Sequence, residues 1–155
     1  MIRPSNYDGG RVHAVGVSTH AVAQEVIASV QPNHSADDGR LTVKRIGEER
    51  LKRTYPFRTF LDSGVKTCFG SDWPVAPIDP LTGIDAAVQR LTIDGANPNE
   101  WHPEQRVTVE DALIAYTRTA GLAGFQEDRL GRLASGYLAD VVVLDRNLLT
   151  VPAEQ

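Results

Sequence analysis

The residues best suited to chemistry in this 155-residue sequence are one carboxylate on a stiff loop and four scattered histidines. Gly70-Ser71-Asp72-Trp73-Pro74 directly follows the apolar run 65–69, which reads as a buried strand. Loops at the C-terminal ends of parallel strands are where α/β barrels collect their functional groups. A carboxylate there can bind a divalent metal and accept a proton from water. The same spacing also suits a turn in which Asp72 bonds nearby backbone amides, so spacing alone leaves both roles open. The histidines are His13, His20, His34 and His102, and they follow no compact ligand spacing of the H-E-x-x-H kind. His34 comes just after Gln31-Pro32 at the end of a second apolar run, a position that suits either a pocket-lining or a solvated side chain. His102, between Trp101 and Pro103, reads as structural. Ser71 has no histidine at a recognisable spacing to activate it as a nucleophile. Cys68 falls inside the expected strand and reads as an inert buried thiol.

Composition bounds the setting of these groups. With 41% hydrophobic and 23% charged residues, the chain is long enough to bury a core. A net charge of -4 gives no electrostatic reason to expect nucleic acid or an anionic membrane as partner. No apolar run approaches the roughly 20 residues of a membrane span, and residues 1–10 lack the apolar stretch of a signal peptide. A single cysteine cannot close an internal disulfide, which fits a reducing, cytoplasmic setting. It also excludes a paired-cysteine zinc site, so any metal here needs His, Asp or Glu.

The elements that must position Asp72 and His34 can be read in order. Residues 12–15 suit a short strand that Gly16 interrupts, and 26–30 a strand that Gln31-Pro32 ends. Residues 33–40 (NHSADDGR) read as a polar loop with an Asp-Gly turn. A charged helical turn follows at 48–53. Thr54 is then expected to cap a segment at 56–62, which Gly64 closes in a left-handed conformation. After strand 65–69 the loop 70–80 carries Pro74, Pro77 and Pro80 and is stiff and non-helical. A helix is expected over 83–91, a turn-rich connector over 94–103, and the clearest helix over 109–123. Thr108 and Asp111 have capping-box spacing there, and Val109, Ala112, Leu113, Tyr116 and Ala120 share one apolar face. Residues 131–133 and 138–144 read as strands of a separate β layer. The chain up to about residue 128 thus alternates strand with helix, as in a parallel α/β architecture.

Four segments in this order, FGSDWPVAPIDP (69–80), WHPEQ (101–105), TVEDALIAYT (108–117) and LGRLASGYLADVVVLDR (130–146), resemble the C-terminal region of the amidohydrolase superfamily. The branch is the one typified by N-substituted formamide deformylase, and ASVQPNHSADDGR (28–40) with Arg45-Ile46-Gly47 resembles it too. The resemblance implies an α/β chain from a (β/α)₈ TIM barrel, with strands of a small β-sandwich. Residues 26–128 would be the last strand–helix units, 129–155 the sandwich return strands, and 1–25 a divergent N-terminal segment. It implies a divalent metal, zinc by preference, with Asp72 as metal ligand and general base and 65–69 as the eighth barrel strand. His13 resembles the fifth-strand metal ligand, although the Gly-Asp expected after it is Gly16-Val17, so a structural role is equally open. His20 stands too near His13 for a full strand–helix unit between them.

The implied activity is hydrolysis of carbon–nitrogen bonds other than peptide bonds in a small amide-type substrate. Against it, a complete barrel takes about 250 residues, and the first-strand His-x-His pair and the bridging lysine or glutamate are absent. The expectation is therefore a C-terminal fragment with open strand edges that invite self-association. A catalytically inactive remnant or interaction module of the same family is the alternative.

Overall fold

The computed structural model describes residues 21–97 and 101–152. Two short strands, β1 (Ala28–Val30) and β2 (Thr67–Phe69), pair in parallel with Ala28 opposite Thr67, Ser29 opposite Cys68 and Val30 opposite Phe69. Parallel neighbours need a crossover. It is built here from α1 (Pro32–Ile46), α2 (Glu48–Leu51) and α3 (Phe57–Asp62). Beyond β2 come α4 (Pro80–Gln89), a 3₁₀ turn (Pro103–Gln105), α5 (Val109–Tyr116) and α6 (Arg118–Ala123). Every residue of β2 is buried, as expected of a parallel strand covered on both faces. Among the described residues the sheet has two strands, so the class is α/β with a small parallel sheet and no barrel is displayed. No helix among them is long and apolar enough to cross a membrane.

The core gathers Phe57, Phe69, Ile84, Ala87, Val107, Ala112 and Ala115 beneath the sheet. Phe69 meets the rings of Phe57 at 5.4 Å and Tyr116 at 5.5 Å, fixing the end of β2 between α3 and α5. Below Phe57 lies an uncommon neighbour, Arg90, which is 1% exposed. Its guanidinium sits 5.0 Å from the ring centres of both Phe57 and Trp101. Arg90 Nε donates to the Trp101 carbonyl at 3.1 Å, and the Trp101 amide donates back to the Arg90 carbonyl at 2.6 Å. Nη1 and Nη2 are buried without a hydrogen-bond partner. Burial lowers its pKa to about 10, against the charges of Glu104 and Tyr55. The cation is held mainly by aromatic faces, which attract it electrostatically.

Several expectations need correction. Residues 33–40 are not a loop but the first half of α1, which Pro32 opens with its fixed φ and Gln31 precedes. Gly39 is there for space rather than for a turn: a Cβ would lie 2.6 Å from Thr92 Cγ2 and 3.1 Å from Trp101 Cδ2. The neighbouring acids have helix-compatible partners, Asp37 pairing with Arg40 and Asp38 accepting from the Tyr55 hydroxyl. Thr54 does not cap α3. Its hydroxyl donates to the Leu51 carbonyl, and Pro56 precedes α3 without a side-chain cap. Gly64 does adopt the left-handed conformation, with φ 77°. Helix α4 begins at Pro80, earlier than expected, because the Asp79 carboxylate accepts from the Leu81 amide at 2.9 Å.

The segment 109–123 divides at Thr117 (φ -117°, ψ -79°), whose hydroxyl donates to the Leu113 carbonyl at 2.7 Å. Such back-bonding competes with helix continuation. The expected strands at 131–133 and 138–144 are absent among the described residues. A strand needs a partner for its backbone groups, and no described element offers one. Val142 and Val143 accordingly remain 83% and 92% exposed.

Two outcomes follow from this packing. A Cβ on Gly83 would lie 1.8 Å from the Tyr116 hydroxyl oxygen, itself buried and unpartnered. Gly83→Ala is expected to destabilise the fold by about 1–3 kcal/mol through overpacking. In a Tyr116→Phe background the cost falls, and Tyr116→Phe alone is neutral or stabilising because it removes an unsatisfied buried hydroxyl; chemical denaturation of the four proteins checks both. The second outcome concerns acid. Burial pushes the Asp111 carboxyl upward, but its bonding to Thr108, whose amide donates to it at 3.1 Å, and Arg58 at 3.0 Å hold it below the usual value. A carboxyl depressed in the folded state contributes stability above its unfolded pKa, and this is lost as pH falls through the folded value. Urea midpoints should therefore decline below about pH 4, and less steeply in Asp111→Asn.

Candidate functional site

Because β1 and β2 are parallel, their C-terminal ends open on the same edge of the sheet. The Gly70 amide donates to the Val30 carbonyl at 3.1 Å, joining the two exits. From β1 the chain passes through Gln31 into α1, which carries His34 in its first turn. From β2 it passes through Gly70 and Ser71 to Asp72. The start of α1 is tied to α4 by Asn33 Nδ2 donating to Thr82 Oγ1 at 3.2 Å.

Asp72 sits in the left-handed region (φ 57°), and its carbonyl accepts from the Val75 amide at 2.8 Å. A four-residue turn results, with Trp73 and a cis Trp73–Pro74 bond at its corner. The side chain that bonds the turn backbone is Ser71, whose Oγ accepts from the Trp73 amide at 3.3 Å. The Asp72 carboxylate is exposed and bonds to nothing among the described residues, so the turn does not consume it. His34 is half-buried, its amide donates to the Gln31 carbonyl at 3.1 Å, and its Nε2 is buried without a partner. It is a helical residue beside the sheet edge and not a residue of a solvated loop.

The other candidates separate from this edge. His13 and His20 lie outside the described residues. His102 packs edge-on to Trp101 at 5.1 Å, with Nδ1 2.8 Å from Glu104 Oε1. Burial pushes Glu104 upward, but the His102 bond and the nearby Arg90 charge hold it below the usual range. Cys68 is buried in β2, as its position implied. Trp73 drew no attention in the sequence beyond its place in the motif, yet it is 66% exposed beside Asp72. The signal that could have found it is the proline-rich loop, which leaves a large side chain little freedom to fold inward. A cleft of about 620 Å³ lies elsewhere, lined by Leu113, Tyr116, Ala120, Leu130 and Leu138.

A catalytic zinc site usually has three protein ligands. Among the described residues no group of three or more His, Cys, Asp or Glu side chains is assembled. Asp72 offers one carboxylate, and the described residues therefore do not by themselves fit a metal.

The fold and this edge define a parallel α/β protein with a carboxylate loop at a strand end. A model of the amidohydrolase family matches residues 19–155, and the chain belongs to that family. Its relatives place it in the branch of YtcJ and N-substituted formamide deformylase. It is 29% identical over 135 residues to the putative amidohydrolase YtcJ of Bacillus subtilis, covering 87% of this chain and 26% of that one. To the N-substituted formamide deformylase of Arthrobacter pascens it is 36% identical over 100 residues, covering 64% and 18%. Protein LONG AFTER FAR-RED 3 of Arabidopsis thaliana is 43% identical over 123 residues, covering 79% and 21%. Among solved structures, an uncharacterized metal-dependent hydrolase from Pyrococcus horikoshii matches with TM-score 0.79 and 31% identity, over 90% of this chain and 28% of that one. One from Pyrococcus furiosus gives 0.73 and 36%, over 86% and 26%. The chain thus spans about a fifth to a quarter of the length of the curated relatives.

The exposed, unpartnered Asp72 allows a clean separation of chemistry from folding. Asn tolerates the left-handed conformation well. Asp72→Asn is expected to leave stability within about 0.5 kcal/mol of the parent, as measured by thermal and urea unfolding. A larger loss would reveal a structural role for the carboxylate.

Proposed function

We propose that this chain is the Asp72-bearing part of an amidohydrolase that cleaves carbon–nitrogen bonds other than peptide bonds in small amide-type substrates. The observation that carries the reading is the unpartnered Asp72 carboxylate on a strand-end loop, in a chain that belongs to this family. Asp72 accepts the proton of the attacking water and passes it to the leaving nitrogen, while His34 lines the substrate side of the same edge. The sheet is read as the last strands of a (β/α)₈ barrel. The relatives described as metal-dependent hydrolases make a divalent ion, zinc by preference, the expected family cofactor. The described donor set does not by itself hold such an ion.

A second reading is favoured by the same incomplete donor set, and by a 43% identical relative whose name specifies no reaction. In it the chain is a non-catalytic interaction module, which associates through the unpaired apolar run 138–144. Turnover of a panel of formamides and acylamides, measured with size-exclusion chromatography on the same sample, separates the two. The hydrolytic reading expects release of amine that falls at least 100-fold in Asp72→Asn. Absence of turnover in a folded sample with added zinc, together with a dimeric elution volume, supports the module.

A further inference from the structure

At the end of the sheet opposite the Asp72 loop, the chain builds a second concave surface that the hydrolytic reading does not use. Lys66 directly precedes β2, and its carbonyl accepts from the Ala28 amide at 2.9 Å, at the entry to both strands. Extended backbone rises about 3.3 Å per residue, so roughly 13 Å of strand separates Lys66 from Gly70. A cleft of about 420 Å³ opens there, and its lining includes Lys66, Ile114, Arg118, Leu122, Glu127 and Arg132. The wall carrying Glu127 and Arg132 is held by close contacts. Gly131 has φ 84°, and a Cβ on it would lie 2.8 Å from both the Arg118 Cα and the Thr117 carbonyl oxygen, so this wall is pressed against the start of α6. The Tyr137 hydroxyl donates to the Glu127 carbonyl at 2.9 Å, and the Arg132 guanidinium sits 5.1 Å from the Tyr137 ring centre. One tyrosine thus ties both residues together.

Charge decides what such a cleft takes. Among the described residues Lys66, Arg118, Arg132 and Glu127 form no ion pair. Three cations against one carboxylate leave two positive charges unmatched, in a chain whose net charge is -4. Such a concentration of one sign attracts an anion, and the planar donors of arginine match phosphate oxygens. A phosphate monoester carries about -1.5 to -2 near neutral pH and balances that excess. A single carboxylate leaves one cation unmatched. Ile114 and Leu122 add apolar wall that a bare inorganic ion does not cover. We infer that this cleft binds a small organic phosphate monoester with an apolar body, at a site separate from the Asp72 edge. The inference goes beyond the hydrolytic reading and holds whether or not the chain turns over an amide.

The test titrates the full ¹⁵N-labelled chain with phenyl phosphate, inorganic phosphate and phenylacetate, followed by NMR. Phenyl phosphate is expected to shift the amide signals of Thr119, Glu127 and Arg132, which line the cleft, saturably. The signals of Gly70 and Ser71, at the other end of the sheet, should stay in place. Inorganic phosphate lacks the apolar body and phenylacetate carries one charge, so each should bind about tenfold more weakly. Arg118→Gln and Arg132→Gln should each weaken phenyl phosphate about fivefold, and added salt should weaken it further. Glu127→Gln should tighten it by a similar factor, which a loss of structure cannot produce. Asp72→Asn should leave the affinity unchanged. Absence of a saturable shift at the three cleft amides, equal affinity for all three probes, or weaker binding in Glu127→Gln overturns the inference.

Discussion

The rest of the structure depends on a cation kept out of water. Arg90 closes α4 in a left-handed conformation and puts its guanidinium between Phe57, at the start of α3, and Trp101, in the connector. Losing hydration is costly for a charge, and two of its nitrogens recover no hydrogen bond. Aromatic faces and one carbonyl must compensate, and that requirement fixes where three separate segments meet. Phe57 in turn packs on Phe69, and Phe69 on Tyr116, so one run of ring contacts reaches from the buried cation to the end of β2. The loop bearing Asp72 starts at the next residue. Its position is thus set by packing well below the surface on which it opens.

Much of this was legible where local rules act alone. The Thr108–Asp111 box formed as its spacing required, Gly64 took the left-handed conformation, and the buried strand before Gly70 lies where its apolar run placed it. Failures arose where a residue type has two uses. Asp38-Gly39 looks like a turn, but Gly39 is small because Trp101 and Thr92, more than fifty residues away, press on α1. No local pattern in the sequence announces that Arg90 will be roofed by aromatics from distant segments. Residues 138–144 have the composition of a strand, but a strand is a property of two chains of hydrogen-bonding groups and the sequence of one cannot supply the other.

The site shows a similar division. Family membership rests on ordered segments along most of the chain, and the Asp72 loop belongs to the same pattern. Geometry adds something the motif could not: Ser71 takes the backbone bond that an aspartate in such a turn often makes, and the carboxylate is left available. His34 moved from an expected loop into the first turn of a helix, which fixes its backbone beside the same sheet edge. What these residues do not do is assemble a metal-binding group by themselves. Ancestry and local donor chemistry therefore point to different degrees of competence.

The single thiol offers an internal clock for this arrangement. Cys68 lies in the middle of β2, opposite Ser29, and is 5% exposed. With so little of it accessible, its modification is slow in the folded state and proceeds mainly through states in which the packing around β2 has opened. With one cysteine in the sequence, the labelling rate is a direct measure of how often the scaffold beneath the Asp72 loop comes apart. The stability of the ground under the candidate site can thus be followed without altering a residue.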